Sequence, residues 1–66
     1  MTVESEQLRK LRHDLANPLA ALLAETQLLL LGADTLSEEV VAGLKQIEAL
    51  SRKMRDILEA LDRLNR

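Results

Sequence analysis

The stretch GADTLSE, Gly32 to Glu38, holds the one local cluster of turn formers in a chain of 66 residues, and it falls near the middle. Within it Gly32-Ala33-Asp34-Thr35 is the cluster, since glycine, aspartate and threonine favour turns over helix interiors by freeing the backbone or competing for its hydrogen bonds. On either side the apolar residues recur at steps of three and four. Before the cluster the stripe is Leu8, Leu11, Leu15, Leu19, Leu22 and Leu29, with Thr26 holding one of its positions. After it the stripe is Val40, Leu44, Ile47, Leu50, Met54, Leu58 and Leu61. Alternation at period two is absent, so the pattern predicts an all-α chain, an antiparallel hairpin of two helices. The expected bounds are a helix over about 4–31, a turn at about 32–35 and a helix over about 36–65. Gly32 suits the C′ position that ends the first helix. Thr35 to Glu38 (TLSE) reads as a capping box opening the second, with Glu38 and Glu39 near its positive end and Arg63 and Arg66 near its negative end.

Size argues that one hairpin does not suffice. Residues 1–66 make at most a single small domain, and such a chain buries only about 60% of the surface it exposes when unfolded. There is no cysteine for a disulfide, and one histidine without thiolates makes a structural zinc site improbable, so no metal is expected. Association of copies is the remaining reinforcement. The stripes support it. Leu8, Leu15, Leu22 and Leu29 repeat every seven residues, as do Val40, Ile47, Met54 and Leu61, a spacing that implies left-handed supercoiling. Leu23, Leu30, Val41, Ile57 and Leu64 widen each apolar face beyond one seam. The expectation is a homodimer, two hairpins forming a left-handed four-helix bundle.

Composition removes other classes of partner. Without Phe, Tyr or Trp and with a formal charge of −2, the chain has neither stacking platforms nor a basic footprint, so no nucleic acid is expected. Its most apolar stretch, Leu19 to Ala33, is interrupted by Glu25, Thr26 and Gln27, and no signal-peptide core opens the sequence. Direct membrane contact is therefore not expected. Glu6/Lys10, Glu48/Arg52 and Glu59/Arg63 have the Glu-before-base i,i+4 order and read as solvated faces.

Within the first helix stands RHDLANPLAAL, Arg12 to Leu22, which carries the only histidine. A lone histidine can be core filler, metal ligand, base or nucleophile. At 100° per residue, His13 lies roughly 160° from the centre of the Leu8–Leu29 stripe, so it is expected to face outward. A second metal ligand at i+4 is missing, since that position is Asn17, about 6 Å further along the same outer face. Asp14 could accept the Nδ1 proton of the imidazole and leave Nε2 more nucleophilic. Pro18 cannot donate to the carbonyl of Asp14, and because leucines continue in phase on both sides it predicts a kink within one helix. Ala16, Ala20, Ala21 and Ala24 leave the surface around His13 open to another protein, and Leu28 and Leu31 extend it as an apolar area that a docked partner would cover.

His13-Asp14-Leu15-Ala16-Asn17-Pro18-Leu19 resembles the H-box of sensor histidine kinases, H-[DE]-[LI]-x-[NT]-P-[LI], found on the first helix of their dimerisation and histidine-phosphotransfer domain. The resemblance implies that His13 is the phosphoacceptor, taking the γ-phosphoryl group of ATP on Nε2 and passing it to an aspartate in a response-regulator receiver domain. It implies Asp14 as the general base, Asn17 as the residue placing water for phosphatase action on the regulator, and Pro18 as the site of a helix kink. ATP and Mg would be held by a separate ATP-binding domain, because that domain's asparagine-bearing box and glycine-rich lid have no counterpart here. A cytoplasmic location follows, alone or as the cytoplasmic part of a membrane-bound sensor. The alternative is a stand-alone helical dimer serving as a phosphorelay or as a non-catalytic binding module.

Overall fold

The computed structural model describes the backbone of residues 3–64 and the side chains of residues 5–64. Arg66, expected near the end of the second helix, lies outside the described residues. Helix α1 spans Val3–Leu31 and helix α2 spans Glu38–Leu64, and they pack against each other as an antiparallel hairpin. No strand occurs among the described residues. Helix α1 runs unbroken through Pro18, so the proline does not start a helix.

The connection differs from the expected one at both ends. Gly32 has φ −98° and ψ 26°, so α1 closes without a left-handed residue. Its N–H donates to the carbonyl of Leu29 at 3.2 Å, a tightening that leads into a 3₁₀ turn over Ala33–Thr35. Thr35 does not cap α2: its hydroxyl donates back to the carbonyl of Gly32 at 2.8 Å. Ser37 is the cap. Its Oγ accepts from the Val40 N–H at 3.2 Å, and its carbonyl receives the first helical bond, from Val41, at 3.0 Å. The box fails because Thr35 is spent on the turn, which moves the start of α2 two residues on. Glu38 and Glu39 still occupy its first turn and Arg63 its last.

The helices meet along a row one step round from the predicted stripe. On α1 the enclosed or half-enclosed side chains are Ser5, Arg12, Ala16, Leu19, Leu23, Thr26 and Leu30. On α2 the facing row is Val41, Leu44, Glu48, Ser51, Leu58 and Asp62, and Ala60 is half-enclosed off that row. Leu23, Leu30 and Val41 thus belong to the hairpin's own seam instead of widening it. The seam is thin. Among the described residues Leu19 is the one buried apolar side chain, at 6% exposure, beside Thr26 and Ser51 at 5% each. Thr26 satisfies its hydroxyl by donating to the Leu22 carbonyl at 2.7 Å.

The leucines of the heptad series lie on the neighbouring face, uncovered. Leu8, Leu11, Leu15, Leu22 and Leu29 are 45–59% exposed, and Val40, Ile47, Leu50, Met54 and Ile57 continue the strip on α2. The hairpin exposes 5271 Å², against about 4,200 Å² for a compact monomer of its mass. Its radius of gyration is 15.4 Å, where about 11 Å would be compact. One buried leucine does not offset the conformational entropy of ordering two long helices. Structure and arithmetic alike leave this strip in need of a cover.

Candidate functional site

The sequence between Lys10 and Pro18 folds as regular helix, so its side chains fan out in fixed directions. Leu11 and Leu15 fall on the uncovered strip, Arg12 and Ala16 on the seam, and His13 and Asn17 on the remaining side, where both are exposed. The imidazole is therefore open to solvent and separate from both apolar surfaces. Asn17 stands one turn beyond it.

Asp14 and His13 are not joined. Neighbours i and i+1 diverge by about 100° round a helix, and the Asp14 carboxylate Oδ2 instead accepts from Lys10 Nζ at 2.8 Å, one turn back. This bond and the charge of Asp14 hold the Lys10 ammonium above its ordinary pKa. A raised lysine pKa means the pair's contribution is present at neutral pH and lost only as strongly alkaline solution removes the proton. Lys10 thereby pairs with Asp14 where the sequence pointed to Glu6. Of the other expected pairs, Arg52 donates to Glu48 at 3.3 Å, whereas Glu59 faces Arg55, at 4.0 Å, one turn before it.

Beside His13 the helices are bridged: Arg12 Nη2 lies 3.2 Å from Asp62 Oδ1. Periodicity could not reveal this bond, since neither residue belongs to an apolar stripe and they lie in different helices. Below the bridge a groove of about 360 Å³ opens between the helices. Its apolar wall is Ala16, Leu19, Ala20, Leu23, Ala24 and Leu58, and its rim carries Arg12, Gln27, Arg55 and Glu59. His13 precedes Ala16 by three residues and Ala20 by seven, so the histidine stands at one end of the α1 wall. Ala20, Ala21, Ala24, Leu28 and Leu31 are all exposed, Leu31 at 82%. Ala16, expected on the same open surface, is turned half inward against α2.

Among the described residues no helix is long and apolar enough to cross a membrane. A family model for the His kinase A (phospho-acceptor) domain matches residues 3–66, nearly the whole chain. The chain belongs to that family. No curated protein and no solved structure gives a match. For a His kinase A domain the meaningful features are those just described: one exposed histidine, a groove that begins beside it, and an apolar strip on another side. The match also places the domain within histidine kinases and two-component signalling.

Proposed function

We propose that this His kinase A domain is the phosphoacceptor and dimerisation element of a two-component sensor histidine kinase, with His13 as the group that carries phosphate. The observation carrying this reading is that the chain's only imidazole is displayed on the outer side of α1, away from the strip a second copy would cover.

Chemically, the lone pair of His13 Nε2 attacks the γ-phosphorus of ATP. The Nε2–P bond forms as the bond from phosphorus to the β,γ-bridging oxygen breaks, releasing ADP. The Nδ1 proton passes to a carboxylate, the role given to Asp14, which leaves a neutral phosphoimidazole. To serve, Asp14 first leaves Lys10, and because that pair is exposed its opening costs little. In the return step a receiver-domain aspartate attacks phosphorus, the P–N bond breaks, and the imidazole regains a proton. Asn17, on the same face, is suited to hold a water in line with the regulator's acyl phosphate. ATP and Mg belong to a separate ATP-binding domain, and every step is cytoplasmic chemistry.

Two surfaces divide the partners. The leucine strip takes a second copy, giving the homodimeric four-helix bundle. The groove side, with Ala20, Ala21, Ala24, Leu28 and Leu31, takes the receiver domain, since small side chains let another backbone come close to His13 while the leucines supply apolar contact.

Incubation with ATP and the ATP-binding domain of a histidine kinase tests this. The wild type should gain acid-labile, base-stable phosphate, and His13→Gln should gain none. Labelling that persists in His13→Gln would refute the assignment.

A further inference from the structure

Helix α1 is fastened to α2 differently on the two sides of Pro18. After the proline, the side chains turned toward α2 are Leu19, Leu23, Thr26 and Leu30. Before it they are Ser5, Arg12 and Ala16. Burial stabilises in proportion to the apolar area removed from water, and serine or alanine offers far less of it than leucine. The segment that bears His13 thus has a weaker apolar hold on α2: Leu15 reaches the pocket it shares with Met54, Ile57 and Leu58, but Leu8, Leu11 and Leu15 stay 45–59% exposed. Across to α2 it reaches through the ion pair of Arg12 with Asp62, whose side chains are only 22% and 30% exposed, more sheltered than the 76% and 52% of Lys10 and Asp14. Shelter lessens screening by water and salt. Pro18 adds a second condition. It removes the backbone bond to Asp14 that would stiffen α1 between this segment and the part packed on leucines.

From these observations we infer that the Arg12–Asp62 ion pair is the clasp that holds the His13-bearing segment against α2 and so sets the direction in which the imidazole is presented. Arg12 immediately precedes His13, about 100° away round the helix. A guanidinium anchored on the seam therefore fixes the neighbouring imidazole on the outer rim, at the head of the groove. Arg12 and Asp62 are positioning residues: they act through His13 and take no proton or phosphoryl group. The inference rests on His13 being the phosphoacceptor.

The test uses the full chain as wild type, Arg12→Gln, Asp62→Asn and the reversal Arg12→Asp/Asp62→Arg, with two phosphoryl sources. One is a histidine-kinase ATP-binding domain with ATP, which must dock in a definite orientation. The other is phosphoramidate, a small donor that needs only an accessible imidazole and releases ammonia. With the docked domain, each single variant should be phosphorylated about fivefold more slowly. The two losses should not add, and the reversal should regain most of the rate. With phosphoramidate all four chains should react alike. Amide hydrogen exchange across residues 8–16 should quicken in the single variants and recover in the reversal, while residues 23–30 stay unchanged. Wild-type rates in the single variants, additive losses, or equal slowing with both donors would overturn the clasp. A wild type inert to both donors would refute the phosphoacceptor assignment instead, and the exchange pattern would still decide the clasp.

Discussion

Two faces of α1 are exposed in the single hairpin, and they are chemically opposite. One carries Leu8, Leu11, Leu15, Leu22 and Leu29, the other His13, Asn17, Ala20 and Ala24. Exposure alone would rank them together. Their chemistry separates them, because a continuous apolar strip is stable only when covered, whereas an imidazole, an amide and small methyls are compatible with water between encounters. The lesson is that on a two-helix chain the permanent interface is read from what water disfavours, and the site of transient chemistry from what water tolerates.

The largest effect should come from striking the first face. Leu22 lies off the hairpin's own seam, so Leu22→Asp would leave one chain's contacts intact yet bury an unpaired carboxylate between two copies. Sedimentation equilibrium should show dimer association weakened by on the order of a hundredfold or more, with loss of helix following from loss of the partner. A folded dimer with unchanged affinity would mean the strip faces something else. On the second face the change should be chemical and leave assembly alone. Asn17→Ala should slow dephosphorylation of the receiver domain by about tenfold, with His13 phosphorylation and dimerisation kept. Equal loss of phosphorylation and dephosphorylation would erase the distinction between these two residues. Smallest is a change remote from both faces: Ser37→Ala removes the cap of α2 and should cost about 1 kcal/mol of stability, read by denaturant unfolding, with the phosphorylation rate untouched. A fall in that rate would show that the turn end and the histidine are coupled.

Periodicity made most of the fold legible. Steps of three and four, broken once at Gly32, were enough for two helices and a hairpin. What it could not resolve was which part of a broad apolar arc meets which neighbour. The Leu8–Leu29 series looked like the seam because leucine dominates it, but the seam took a mixed row in which Thr26 and Ser51 are the most enclosed polar groups. Small side chains there suit close helix approach, and hydropathy patterns do not score that. The cap was misplaced for a local reason. Thr35 and Ser37 carry equivalent hydroxyls two residues apart, and only the 3₁₀ turn decides that Thr35 closes on Gly32 and Ser37 is left for α2.

At the site, helical angle alone separated His13 and Asn17 from the stripe, and the structure leaves both exposed. Asp14 was less legible, because adjacency in sequence suggests contact that a helix does not give. It reaches Lys10 instead. The bridge from Arg12 to Asp62 lay beyond sequence reasoning altogether, since it depends on the register between two helices.

The separation of the two faces is tested most directly by the rate at which diethyl pyrocarbonate modifies His13, followed at 240 nm over chain concentrations that span dimer formation. An imidazole on the outer side of the bundle should react at one rate at every concentration, unchanged as the dimer forms. Protection of His13 that grows as the dimer forms would place the ring within the interface and contradict the account.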